Sequence, residues 1–433
     1  MKSLNQYIYP KTLKRNEHGN LELGGCDLVQ LAKRHSTPLY VIDEKTIRGV
    51  LQEYKSAFSN YKNTRLLYAS KACLNMGIAK IVSDEGFGFD TVSGGEIYTV
   101  YKAGCDMSKV LFNGNNKSPE EIELALNLGV GRISVDNFHE LDLLNKIAQK
   151  PVDILLRITP GIECHTHDYI KTGQLESKFG FDMEQIDTAI NLILNKYKNL
   201  NLKGLHAHIG SQIFEIKVFE DELYILLNEI ERIKTKFNIE LTEINMGGGI
   251  GVKYTEQDEP VSIFDVAQKV ISKLKDKNLT LYLEPGRSII STAGVTLYEI
   301  GSSKTVEFNA HKYISIDGGM ADNPRPSLYG AKYLAEIANK TENRTVEDVT
   351  ISGKFCESGD ILIEKISLPS PQAGDILCVF NTGAYNYSMA SNYNRMKKPE
   401  MVLVNNSQSD IIVKRETYDD LISLDVIPKR MDK

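Results

Sequence analysis

A chain of 433 residues exceeds one small domain, at about 150 residues per domain, and is long enough to bury a core without disulfides or a structural metal. With 42% hydrophobic and 25% charged residues, 32 Gly and 13 Pro, it is neither collagen-like nor disordered. Its 51 Lys+Arg against 57 Asp+Glu leave a net charge of −6 with no basic block, which argues against nucleic acid or an anionic membrane as partner.

The opening stretch MKSLNQYIYPKTLKRN has no apolar segment of a secretory signal, and no apolar run is long enough to span a bilayer. The six cysteines (26, 73, 105, 164, 356 and 378) form no CxxC pair. That speaks against a zinc ribbon and a disulfide framework, and the expectation is reduced thiols in a cytoplasmic protein.

PLYVID (38–43) reads as a strand. Eight short apolar runs follow. They begin near 65 (RLLYAS), 87 (FGFDTV), 110 (VLFNG), 132 (RISVD), 153 (DILLRITP), 202 (LKGLHAHIG), 241 (LTEINMGGG) and 279 (LTLYLEPG). Segments of helical period separate them. The clearest helix start is Ser118-Pro119-Glu120-Glu121, a capping box with Pro at the first helical position. Eight such repeats predict an α/β fold, a (β/α)8 TIM-type barrel over 44–288, with a doubly wound sheet as the alternative. The fifth gap is longer and holds the polar stretch 161–181, with His165 and His167. An insertion after a barrel strand falls on the face where active sites lie. After about residue 290 the period becomes two, in TLYEIG, HKYISID, DVTISG, DILIEK, DILCVF and DIIVK. Residues 1–43 and 289–433 are therefore assigned to a second, mostly β domain, with 38–43 as its N-terminal strand.

Several residues at expected strand ends can carry chemistry. Lys71 follows the first strand; a partly desolvated lysine can form a Schiff base, although a solvated loop lysine is the plainer reading. Gly247-Gly248-Gly249 follows the seventh strand and can cradle a phosphate with backbone N–H groups, or simply turn the chain. Ser211 can add a hydroxyl from the sixth-strand loop. His206 and His208 share one side of the sixth strand. They suit a metal pair, or a ring-stacking His208 beside a hydrogen-bonded core His206. Glu284 ends the eighth strand and needs a cationic partner, either a protonated pyridine nitrogen or a core arginine such as Arg157. Together, a lysine, a phosphate cradle, an acid and a stacking ring are what pyridoxal phosphate requires.

The chain resembles the alanine racemase-like, fold type III pyridoxal phosphate enzymes, and within them the diaminopimelate decarboxylases. The resemblance runs essentially end to end, through YASKA (68–72), FDTVSGGE (89–96), HTHDYIKTG with KFGF (165–181), HAHIGSQ (206–212) and NMGGGIG (245–251). It continues in EPGR (284–287), PRPSLY (324–329), CESGD (356–360), GAY (383–385) and SNYN (391–394). After SNYN the chain departs from the family's arginine- and proline-rich run, reading Arg395-Met396-Lys397-Lys398-Pro399.

The resemblance implies that Lys71 holds the cofactor, that Asp90 lies near it, that His208 stacks on the ring and that Glu284 bonds the ring nitrogen. Ser211, Gly249, the Gly286–Arg287 backbone and Tyr385 would surround the phosphate. Cys356 and Glu357 would enter from a second subunit, making a homodimer the active unit, with Cys356 a candidate proton donor to Cα. Arg287, Arg325, Tyr329, Glu357 and Tyr385 would hold the distal end of the substrate. A glutamate at the ring nitrogen favours decarboxylation over racemisation. Two arginines imply a distal carboxylate and Glu357 a distal ammonium, which fits meso-2,6-diaminopimelate converted to L-lysine. The alternatives are a carboxynorspermidine or acyl-carrier-bound glutamate decarboxylase of the same scaffold, an HxH metal-dependent hydrolase, and a silent regulator like the antizyme inhibitors. Retention of Lys71 and Cys356 speaks against the last.

Overall fold

The computed structural model describes residues 2–161, 178–340 and 345–431. Most of the polar insertion at 161–181, including Cys164, His165 and His167, lies outside the described residues. The chain divides into two compact units, Met1–Ile8 with Thr46–Thr292, and Tyr9–Lys45 with Ala293–Lys433.

The first unit is a closed barrel of eight parallel strands. They are β1 (Thr64–Ala69), β2 (Gly88–Thr91), β3 (Val110–Phe112), β4 (Arg132–Val135), β5 (Val152–Thr159), β6 (Leu200–His206), β7 (Glu243–Asn245) and β8 (Thr280–Leu283). Each falls on one of the eight apolar runs. Neighbours in sequence pair in parallel, and Leu281–Leu283 of β8 pair with Thr64–Leu66 of β1, so the sheet has no open edge there. Leu67, Leu111 and Leu155 meet inside the barrel and Tyr282 packs on them, so the interior is a filled core rather than a pore. The helix Pro119–Asn127 starts at the expected box. Ser118 Oγ accepts the Glu121 N–H at 3.2 Å and Glu121 Oε2 accepts the Ser118 N–H at 3.0 Å. The other Glu121 oxygen takes the Gly94 N–H at 2.8 Å, tying the preceding barrel helix to this one.

Residues 2–8 correct the expected domain limits, since they belong to the barrel unit and not to the β domain. Asn5 Nδ2 donates to the carbonyls of Gly251 (2.9 Å) and Val261 (2.8 Å), and Gln6 Nε2 donates to that of Pro260 (2.8 Å). These side chains satisfy backbone acceptors of the barrel, a bond pattern that strand periodicity does not register.

In the second unit the strand order is Ile361–Pro369, Val346–Ser352, His311–Ile316, Gly294–Val306, Leu39–Asp43, Glu400–Asn405, Gln408–Val413. Ile376–Val379 pairs with Gly294–Val306 and with Ala335–Ile337. PLYVID therefore supplies an inner strand, and all five residues Leu39–Asp43 are buried. Its Val41 packs with Leu23, Leu28, Val295, Leu297, Cys378 and Val402 in one apolar core.

Candidate active site

The barrel's C-terminal rim gathers the first group of residues. β1 ends at Ala69, whose N–H bonds the Pro285 carbonyl at 3.1 Å, so the turn after β8 is fastened to the end of β1. Lys71 follows in the short helical turn Ser70–Ala72. Its Nζ lies 3.2 Å from Oδ2 of Asp90, which sits on β2 and is fully buried. Burial, and then the charge of Glu284, raise the Asp90 pKa, and Lys71 works against both.

Glu284 comes directly after β8 and is also buried. Asn245 Nδ2, at the end of β7, donates to its Oε1 at 2.6 Å, and His206 Nε2 is 3.6 Å from its Oε2. Burial alone would raise this carboxyl; the contact with His206, the charge of Lys71 and the Asn245 bond outweigh it and hold Glu284 down to about 2. These neighbours favour the ionised form of the buried acid. Arg157, weighed as its partner, instead lies 3.7 Å from Asp136 Oδ1.

The glycine loop is shaped for close backbone approach. Gly247 and Gly249 adopt φ +60 and +117, a region L side chains avoid. A Cβ on Gly247 would stand 2.6 Å from His208 Nδ1, and one on Gly249 would stand 2.8 Å from the Gly210 oxygen. The Asn245 amide oxygen accepts the Gly247 N–H at 2.8 Å, and the Gly248 N–H donates to His208 Nδ1 at 3.2 Å. The packing around His208, and then the charges of Lys71 and Arg157, push its pKa well below the usual range, so the ring is neutral. Ser211 Oγ accepts from Arg287 Nε (3.1 Å) and Nη2 (3.0 Å), while Arg287 Nη1 donates to Tyr254 (3.0 Å). Gly286 caps the short helix Arg287–Ile290.

His206 and His208 do different work. His206 is fully buried and its Nδ1 is 2.7 Å from Ser134 Oγ. Among the described residues no group of three or more His, Cys, Asp or Glu is arranged to hold a metal. His206 is thus a buried, hydrogen-bonded histidine of the barrel interior.

The β unit holds the remaining candidates. Cys356 and Glu357 are exposed on the loop that follows Val346–Ser352. The Cys356 N–H donates to Asn394 Oδ1 at 2.9 Å, so the CESGD and SNYN motifs meet. Asp360 closes that loop by accepting the N–H groups of Phe355 (2.8 Å) and Met320 (2.7 Å). Arg325 begins the helix Arg325–Tyr329 and is buried. Its Nη1 donates to Tyr333 at 2.6 Å, and Tyr333 bonds Asn386 at 3.3 Å, next to Tyr385. Ser327 of the same helix bonds the Gly359 carbonyl at 2.9 Å. Tyr329 is half-buried, and so is Tyr385, at φ +61. Asn245, Tyr254, Tyr333, Asp360 and Asn394 were given no role from sequence. Asn245, Asp360 and Asn394 all lie inside quoted motifs, which was the available signal.

A lysine paired with a buried aspartate, an ionised acid and a glycine cradle on one barrel rim suit a phosphorylated pyridine that forms a Schiff base. The barrel falls in that class: residues 44–291 match the family model of the pyridoxal-dependent decarboxylase pyridoxal binding domain. The chain is 45% identical to the diaminopimelate decarboxylase of Synechocystis sp., over 99% of this chain and 95% of that one. It is 44% identical to that of Bacillus subtilis, over 96% and 97%. The solved M. jannaschii diaminopimelate decarboxylase, in co-complex with L-lysine, aligns with a TM-score of 0.91 at 34% identity, over 98% of this chain and 100% of that one. The chain belongs to the diaminopimelate decarboxylase family.

Proposed function

We propose that this chain decarboxylates meso-2,6-diaminopimelate to L-lysine and CO2, with pyridoxal 5'-phosphate carried on Lys71. The observation that carries the chemistry is the buried Glu284, held by Asn245 just after the strand bonded to the one that presents Lys71. The full-length similarity to diaminopimelate decarboxylases, one of them holding L-lysine, supports the substrate.

The residues divide the work. Pyridoxal phosphate, when bound, supplies a sink for the electron pair left at Cα as CO2 departs. Glu284 keeps a proton on the ring nitrogen, because an ionised partner favours the charged form of a base. Neutral His208 offers a flat face for stacking. Ser211, Gly249, the Gly286–Arg287 backbone and Tyr385 receive the phosphate. Arg287, Arg325, Tyr329, Glu357 and Tyr385 bind the distal ammonium and carboxylate. Cys356 and Glu357 come from the second subunit of a homodimer, and Cys356 Sγ delivers the proton to Cα. The described cysteines are free thiols, in keeping with a reducing, cytoplasmic setting.

The test is to supply the purified protein with pyridoxal phosphate and separate substrates, and to assay CO2 and amine. Release from meso-diaminopimelate with formation of L-lysine supports the proposal. Turnover of carboxynorspermidine or an acyl-carrier-bound glutamate instead, with none of diaminopimelate, overturns the substrate. No turnover and no cofactor uptake overturn the reading altogether.

A further inference from the structure

Two side chains, from β7 and β6, reach the two oxygens of Glu284, and a third, from β4, backs one of them. Asn245 of β7 holds Glu284 Oε1 at 2.6 Å. His206 of β6 turns Nε2 toward Oε2, at 3.6 Å, and that nitrogen has no hydrogen-bond partner among the described residues. Ser134 of β4 bonds the opposite ring nitrogen, Nδ1, at 2.7 Å. A buried histidine kept only for packing would turn its second nitrogen toward a carbonyl or hydroxyl. Here it faces a carboxylate across a gap that a small shift closes.

We infer, on the basis of the cofactor reading above, that His206 is a positioning residue for Glu284, with Ser134 fixing which ring nitrogen carries the proton. A hydroxyl that donates to Nδ1 leaves the N–H on Nε2, facing Glu284. His206 and Asn245 then hold both carboxylate oxygens and set the rotamer in which Glu284 meets the ring nitrogen. The other charges acting on this region are Lys71, Asp90, Arg157 and Glu222. Without the His206 donor the carboxylate is free to turn and to take up a proton, and the ring nitrogen loses its ionised partner.

Two amides separate positioning from packing. His206→Gln places its N–H₂ group near the Nε2 position and reaches Glu284. His206→Asn is shorter, matches the Nδ1 position and reaches Ser134 alone. Each is loaded with pyridoxal phosphate labelled with 15N at the ring, and the ring chemical shift is read beside kcat and KM. The expected result is a protonated ring nitrogen in the wild type and in His206→Gln. In His206→Asn the shift moves toward the unprotonated form, and kcat falls about 10- to 100-fold with little change in KM. Equal behaviour of the two variants, or loss of folding in both, is what a packing role predicts and overturns the inference. A wild type that takes up no cofactor overturns the cofactor reading, and this inference with it.

Discussion

Lys71 Nζ stands 3.2 Å from Asp90 Oδ2, and the two residues belong to the ends of adjacent strands. The contact gives a partly exposed amine a buried counter-ion and a defined direction. Lys71→Ala is expected to abolish both activity and the near-ultraviolet to violet absorbance that the protein gains with pyridoxal phosphate. Borohydride reduction followed by peptide mapping should label Lys71 in the wild type. A label on another lysine refutes the assignment.

The loop 356–360 tests the shared site. Cys356 and Glu357 are exposed in the single chain, while Asp360 and Asn394 hold the loop that carries them. Mixing inactive Lys71→Ala with inactive Cys356→Ala subunits should restore part of the activity, since each hybrid dimer contains one intact pair. Demonstrated subunit exchange without recovery counts against a site completed by a partner.

Arg325 offers the sharpest reading of the substrate. It is buried and held by Tyr333, so its guanidinium is preorganised. Arg325→Ala should lower kcat/KM on meso-diaminopimelate by roughly 30- to several-thousand-fold, the equivalent of ~2–5 kcal/mol for a lost charge-assisted pair. Arg325→Lys should also fall short, because an ammonium cannot form the bidentate fork. Glu357→Gln should lose less, as its amide oxygen still accepts from an ammonium. Wild-type kinetics for Arg325→Ala would remove the argument for a distal carboxylate.

Glu284 makes an acid-dependent contribution to stability. Its pKa is held at about 2 against an ordinary 4.5. A depressed carboxyl stabilises the fold above its unfolded pKa, and the benefit is lost as pH falls from about 4.5 toward 2. The contribution is of the order of 3 kcal/mol. Urea unfolding of the cofactor-free protein at several pH values should show Glu284→Gln losing less stability than the wild type across that interval. Parallel slopes would mean that the carboxylate is not held ionised by its neighbours.

The barrel was legible because its strands are short apolar runs separated by amphipathic helices, and because the capping box at Ser118 marks a helix start chemically. Lys71, His208 and Glu284 stood out in the sequence as residues just at or past strand ends, and Asp90 only through the family resemblance. Other parts left no periodic trace. Asn245 lies in the same motif as the glycines, yet nothing in an asparagine says that its amide will bridge Glu284 and Gly247. Asn5 and Gln6 bind barrel carbonyls through side-chain amides, so residues 2–8 were assigned to the wrong unit. The burial of Arg325 depends on Tyr333, eight residues on, and that pairing follows from the fold rather than from the PRPSLY motif.

The inner strand Leu39–Asp43 lies between Gly294–Val306 and Glu400–Asn405. In chain order it comes off the ribosome before all eight barrel strands, and both of its partners come after them. For some 250 residues of synthesis its backbone groups have no sheet to join, and the loop to be closed is long. The barrel strands are in effect a guest spliced into their host. A C-terminal fragment beginning near residue 293 would therefore lack an inner strand of its own sheet.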